Sequence, residues 1–231
     1  MVKDIMIKKH QLKQFLDSHK DCYSNYEIKR ILDYSEDFKT DVFLPDLVRE
    51  IYDELGFVSD EHNIYLGFME LLKEAFPSYS ERNILEIGGG ILPRLGKKIS
   101  NIQTTGKITI YDPRLSVYEK DAPNFKLVRQ KFSRNDSVGD HNLMIGFMPC
   151  EGAEILIDSA TKNNMDFMLA FCEGGPHGDE FDYFEDANEW LHSMMYLAER
   201  NVKDHRMGKV KVKSLKEYGD PYPVIYNDRN K

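Results

Sequence analysis

The stretch Asn83-Ile-Leu-Glu-Ile-Gly-Gly-Gly-Ile-Leu-Pro-Arg-Leu-Gly96, followed by Ile108-Thr-Ile-Tyr-Asp-Pro113, decides how this chain folds. It reads as a short buried strand, a glycine turn, a helix start, and a second strand that ends in an acid. Glycines let a backbone approach a ligand closely, and a carboxylate at the next strand end can hold two ribose hydroxyls. Asp112 follows Gly90 by 22 positions, close to the roughly 20 expected for one strand–helix–strand unit. A nucleoside-bearing ligand is the expectation from this stretch alone.

The rhythm continues downstream. Apolar runs at Ile84–Ile87, Ile108–Tyr111, Lys126–Val128, Leu143–Phe147 and Phe167–Phe171 alternate with helical stretches over about 92–101, 114–121, 151–163 and 183–203. That alternation predicts an α/β domain with a mostly parallel sheet covered on both faces. The tail breaks the pattern: Lys209–Ser214, a turn at Gly219-Asp-Pro221, and Pro223–Tyr226 predict a closing antiparallel pair. Upstream, helical spacing dominates. Leu44, Leu47, Val48, Ile51 and Leu55 form one stripe, and Asn63 to Phe76 reads as another amphipathic helix ending before Pro77. The expected division is a helical cap over 1–80 and a ligand-binding domain over 81–231.

Composition narrows the function classes. Of 231 residues, 41% are hydrophobic and 30% charged, which predicts a globular rather than a disordered chain. No apolar run approaches the roughly 18 residues that a membrane span needs. The first ten residues lack the apolar segment of a signal peptide. Three cysteines without metal-ligand spacing fit a reducing compartment, so a cytoplasmic location is expected. A net charge of −8 disfavours nucleic acid as a partner, because such binding needs a basic face that displaces counterions. Lys209-Val-Lys-Val-Lys213 reads instead as the solvent side of an edge strand.

Five parallel strands, a helix and a terminal antiparallel pair resemble the class I S-adenosylmethionine-dependent methyltransferases, over residues 63 to about 228. The resemblance implies a Rossmann-like, seven-stranded sheet with S-adenosyl-L-methionine as cofactor. In that family an acid–x–Gly–x–Gly–x–Gly loop follows the first strand; Glu86, Gly88 and Gly90 match, with Gly89 between them, and Leu92 replaces the third glycine. Asp112 matches the family's ribose-binding acid, and Pro113 stands where an apolar residue packs on adenine. Gln130, Ser133 and Asp136 all lie near the expected adenine contact. At the fourth and fifth strand ends, Pro149-Cys150 and Cys172 partly match a subgroup with Pro-Cys segments, although the histidine frequent before the first segment is absent. Gly90-Ile-Leu-Pro93 is also similar to the turn of nicotianamine synthases, which transfer the aminocarboxypropyl arm of the same cofactor.

Other readings of the loop stand beside this one. Gly88-Gly-Gly90 also suits tight strand–helix packing, and Asp112 also suits a helix cap. A Gly-x-Gly-x-x-Gly dinucleotide fingerprint fails at Pro93, which has no amide to give a pyrophosphate. Strand carboxyl ends line the crevice of open α/β sheets, so Phe147 and Met148 are expected beside the cofactor, with Glu151 and Glu173 as candidate bases. Glu151 equally suits the first turn of the following helix. Cys150 and Cys172 read as packing residues ahead of a redox pair. His177, Asp179 and Asp182 lack metal-loop spacing, and their glycine-rich surroundings suit a lid. The expected acceptor is a small molecule, with no membrane partner, and the aromatic N-terminal helices offer a homo-oligomer interface. A non-catalytic scaffold that keeps the fold is the non-enzymatic alternative.

Overall fold

The computed structural model describes residues 64–90, 93–115, 119–171, 184, 186–215 and 222–229. Glu119 and Lys120 apart, these belong to one compact unit, His62–Leu115 with Asp121–Lys231. Residues 1–63 of the expected helical cap, with their aromatic helices and the proposed interface, lie outside the described residues. So do Ile91, Leu92, residues 172–183 and the turn at 219–221.

Seven strands form one sheet: β1 (Ile84–Ile87), β2 (Ile108–Tyr111), β3 (Phe125–Val128), β4 (Leu143–Phe147), β5 (Asp166–Ala170), β6 (Lys209–Ser214) and β7 (Pro223–Asp228). Their order is β3-β2-β1-β4-β5-β7-β6. β1 to β5 run parallel, with Glu86 level with Ile110 and Ile145. β7 runs antiparallel between β5 and β6. The sheet reverses strand order between β1 and β4, where such folds open a crevice at the carboxyl ends.

Strand periodicity sorts the core into two faces. On one, Ile84, Ile108, Ile110, Leu143 and Ile145 pack with Phe68 and Leu72 of α1 (Ile64–Ala75) and with Leu95 and Ile99 of α2 (Arg94–Ser100). On the other, Leu85, Ile87, Met144 and Phe167 pack with Leu156 and Ile157 of α3 (Gly152–Lys162) and with Trp190, Met194 and Ala198 of α4 (Ala187–Asp204). Helix α1 therefore contributes to the sheet's core, since Phe68 and Leu72 are both fully buried. Each such side chain contributes roughly 1.5–3 kcal/mol through burial.

Two expected helix boundaries differ. Helix α4 begins at Ala187 rather than 183, because Asp186 Oδ1 accepts from the amides of Asn188 (2.8 Å) and Glu189 (2.9 Å) and fixes the start there. The helix expected over 114–121 is not found in its described residues. The Leu115 amide closes a single turn on the Asp112 carbonyl, and Asp121 Oδ1 accepts from Leu127 N, drawing that end toward β3. Residues 116–118 lie outside the described set.

Insertion of β7 is secured by a buried polar junction at the end of the sheet opposite the crevice. Asn227 is fully buried; its Oδ1 accepts from Phe167 N (2.8 Å) and its Nδ2 donates to Asp166 Oδ1 (2.8 Å). Asp166 also pairs with Arg82 (2.8 Å) and Arg229 (2.5 Å). Burial alone would raise the Asp166 carboxyl, but hydrogen bonds from Asn227, Arg229 and Arg82 outweigh it and hold it below the usual carboxylate range. A depressed folded value means that the unfolded chain binds the proton first as pH falls. The stability from this junction is thus present above the ordinary value of 3.8 and lost as pH drops through the folded value. Asn227→Leu should cost about 2 kcal/mol by stranding Phe167 N–H and removing one donor from the Asp166 carboxylate, which keeps Arg82 and Arg229. Denaturant titrations at pH 7 measure this, and a loss under half a kilocalorie would contradict it.

Candidate active site

Three strand ends meet around the glycine turn. Gly88 (φ +80°) and Gly90 (φ +75°) hold left-handed backbone that L side chains rarely adopt. The Gly88 amide donates to Tyr111 O (2.9 Å), and the Gly90 amide donates to Asp112 Oδ2 (2.9 Å), so the loop after β1 is fastened to the end of β2. From β4, Pro149 closes against the same loop. A Cβ on Gly88 would lie 2.8 Å from Pro149 Cα, and one on Gly89 would lie 2.3 Å from Ile110 Cγ2. Gly146 and Gly152 complete the proline's seat, since Cβ atoms there would fall 2.9 Å and 3.3 Å from its ring.

The turn carrying Pro149 is strained. Met148 (φ +52°) and Cys150 (φ +46°) bracket the proline in left-handed backbone, which costs about 1–3 kcal/mol at each non-glycine residue. Asn164 and Arg206 share this conformation, but they follow the ends of α3 and α4, where chains commonly turn. Strain at a strand end beside the crevice has no such local excuse and marks the turn as a candidate for function. Sequence reasoning missed it; the glycines at 146 and 152 on either side of Pro149 were the available signal.

Two acids sit beneath the loop. Glu86, 1% exposed, projects from β1 toward α2, where a Cβ on Gly96 would come within 2.6 Å of its Oε2. That oxygen is buried with no hydrogen-bond partner. Burial, and secondarily the nearby Asp112 charge, pushes the Glu86 carboxyl up to about 8. Asp112, 3% exposed, is by contrast saturated. Its Oδ1 accepts from Arg114 N (2.7 Å) and Nε (3.2 Å), and its Oδ2 accepts from Gly90 N and from Arg114 Nη2 (3.1 Å).

The remaining expected residues divide. Met148 is half-buried at the strained turn, and Glu151 begins α3 without capping it, its Oε2 paired instead with Lys131 Nζ at 2.5 Å. Gln130 is exposed at the end of β3 and adjoins that pair through Lys131; Pro113 is exposed after Asp112. Phe147 lies in the core, its ring 4.9 Å from Tyr65 and 5.5 Å from Phe68 of α1. Cys150 is half-buried, and its Sγ donates to Met148 O at 3.5 Å. Glu173, Cys172 and the acidic segment with His177, Asp179 and Asp182 lie outside the described residues. Among the described residues no cluster suits a metal ion, and no helix is long and apolar enough to cross a membrane.

The Glu86 value carries a direct consequence for stability. A folded value of about 8, against an ordinary 4.5, means that the unfolded chain loses this proton first as pH rises. Stability from this group is therefore full below the ordinary value and declines through neutrality, by up to about 1.4 kcal/mol per pH unit. Glu86→Gln, neutral at every pH, should be more stable than the parent at pH 8, with the gap closing toward pH 5. Thermal unfolding across that range checks it, and parallel curves for the two proteins would contradict the assignment.

No protein-family model and no curated protein matches this sequence. Similar solved structures include Aeropyrum pernix fibrillarin with natively bound S-adenosyl-L-methionine, at 16% identity over 71% of this chain and 76% of that one, TM-score 0.46. A TehB-like S-adenosylmethionine-dependent methyltransferase from Corynebacterium glutamicum matches at 15% identity over 78% and 95%, TM-score 0.48. Human N-acetylserotonin methyltransferase in complex with S-adenosylmethionine matches at 13% identity over 97% of this chain and 61% of that one, TM-score 0.48. The chain's own strand order, with β7 antiparallel between β5 and β6, is the Rossmann-like architecture of the class I methyltransferase fold.

Proposed function

We propose that this protein is an S-adenosylmethionine-dependent methyltransferase acting on a small-molecule acceptor in the cytoplasm. The observation that carries the reading is Asp112, a carboxylate at the end of β2, tied by Oδ2 to the amide of Gly90 in a loop with no Cβ over three residues. Vicinal ribose hydroxyls are matched by a carboxylate with two accepting oxygens. The residues present fit the cofactor on two further counts. Gly88 and Gly89 present bare backbone where a Cβ would strike Pro149 or Ile110, and Glu86 Oε2, at the end of the strand that feeds the loop, is buried without a partner. A carboxylate beside a second acid that holds its proton suits a cationic ligand and repels a pyrophosphate. Pro93, which precedes α2 and lacks an amide, removes a further phosphate donor.

The cofactor supplies a methyl group on a sulfonium that is already a good leaving group, so the protein's task is alignment and, for some acceptors, proton removal. Asp112 and the glycine loop hold the ribose side. The strained Met148–Cys150 turn, rigid because Pro149 is seated among glycines, fixes the wall that continues from β4. Glu151, held by Lys131 at the start of α3, is the described carboxylate that would accept an acceptor's proton. Glu173 is assigned the same role from its place in the sequence after β5.

Asp112→Ala should weaken S-adenosylmethionine binding by about 1–3 kcal/mol, the loss expected when a charged hydrogen-bonding partner is removed. Calorimetry decides it, and unchanged affinity would overturn the reading. Product analysis separates the transfer type: S-adenosylhomocysteine accompanies methyl transfer, whereas methylthioadenosine would establish aminocarboxypropyl transfer instead. Absence of binding by either S-adenosylmethionine or S-adenosylhomocysteine would favour a scaffold.

A further inference from the structure

The Asp112 carboxylate that the proposed cofactor needs is already engaged by the chain itself. Its backbone partners, Gly90 N and Arg114 N, take one site on each oxygen and belong to the loop's own geometry. The other site on each oxygen is taken by one guanidinium, with Arg114 Nε 3.2 Å from Oδ1 and Nη2 3.1 Å from Oδ2. This is a two-pronged, charge-assisted pairing on the two acceptors that a ribose diol would require. The burial figures show which partner is fixed. Asp112 is 3% exposed and held from the backbone, whereas the Arg114 side chain is 62% exposed.

We propose that Arg114 is a specificity- and affinity-setting latch on the ribose-binding carboxylate, which a vicinal diol must displace to bind. The inference rests on the cofactor reading above and goes beyond it by assigning a role to a residue that the reading does not use. The exchange is balanced in hydrogen bonds: the diol donates two to Asp112 while the guanidinium, two residues along the chain, gives up two and returns to water. No backbone bond need break, because the Arg114 amide keeps its hold on Oδ1 whichever way its side chain points. The latch also discriminates. A ligand without vicinal hydroxyls offers no donors in exchange for the guanidinium, so the ribose is read by competition with a built-in cation rather than by an empty acceptor.

An exposed guanidinium makes a weak pair even when its geometry is bidentate, so the latch should be light. Removing it by Arg114→Ala should tighten S-adenosylhomocysteine binding about fivefold by calorimetry, the order expected for an ion pair whose cation is solvent-exposed. Arg114→Lys, a single-pronged cation, should fall between the two. In an Asp112→Asn background the Arg114→Ala gain should vanish, because it runs through the carboxylate. A 2′-deoxyribose analogue of S-adenosylhomocysteine should gain less than the parent ligand from Arg114→Ala. If the wild-type protein binds S-adenosylhomocysteine and Arg114→Ala binds it equally or more weakly, the latch is overturned while the cofactor assignment stands. If neither protein binds, both are overturned. Binding by Arg114→Ala alone supports both.

Discussion

The hydrogen bond from the Gly90 amide to Asp112 Oδ2 ties the first two strand ends of the crevice into one piece. Without it the glycine loop, left-handed at both Gly88 and Gly90, would be held to β2, among the described residues, by the Gly88 amide's bond to Tyr111 O. Glycine loses more conformational entropy on folding than any other residue, so three in succession need such fastening. Pro149 supplies the opposing side from β4, packed so closely on Gly88 that a methyl group would not fit. The loop is therefore shaped by two neighbours, one through hydrogen bonds and one through contact. The site's precision depends on both.

Electrostatics adds a second constraint. Glu86 and Asp112 lie on adjacent strands, both nearly excluded from water, yet they meet that burial differently. Asp112 gathers two backbone amides and a guanidinium around its two oxygens. Glu86 has an orphaned oxygen and responds by holding its proton. Helix α2 crosses close by, so that a Cβ at Gly96 would come within 2.6 Å of Oε2. A buried acid that gains nothing from the ligand-free fold is poorly explained by stability alone.

Much of the architecture was legible because buried parallel strands read as unbroken apolar runs. The limits of β1, β2, β4 and β6 coincide with Ile84–Ile87, Ile108–Tyr111, Leu143–Phe147 and Lys209–Ser214 as read from the sequence. Side-chain capture of backbone groups was harder to see. Asp186 delays α4, and Asp112 with Asp121 organises the segment before β3 without a helix in its described part; neither effect has a hydrophobic period. Type and spacing singled out Glu86, the glycines and Asp112, and the fold sets them at adjoining strand ends. A strand-end position does not say which face a ring takes, and the Phe147 ring packs on Tyr65 and Phe68 of α1. Arg114 escaped notice for a related reason: its partner is two residues away, and the pairing depends on a turn rather than on a strand.

Strain and fastening together distinguish the two sides of the crevice. On the β1–β2 side the backbone is left-handed glycine whose amides at Gly88 and Gly90 fasten it to Tyr111 O and Asp112. On the β4 side Met148 and Cys150 are held in conformations their side chains disfavour, with Met148 packed against the core that contains Phe68 and Phe147. Relaxing either residue would move Pro149 away from Gly88 and loosen the loop it confines. The strained turn thus acts on the β1–β2 side as well as its own. A change confined to the β4 turn would be felt at Asp112 through Pro149, Gly88 and Gly90, a route of direct contacts and one hydrogen bond.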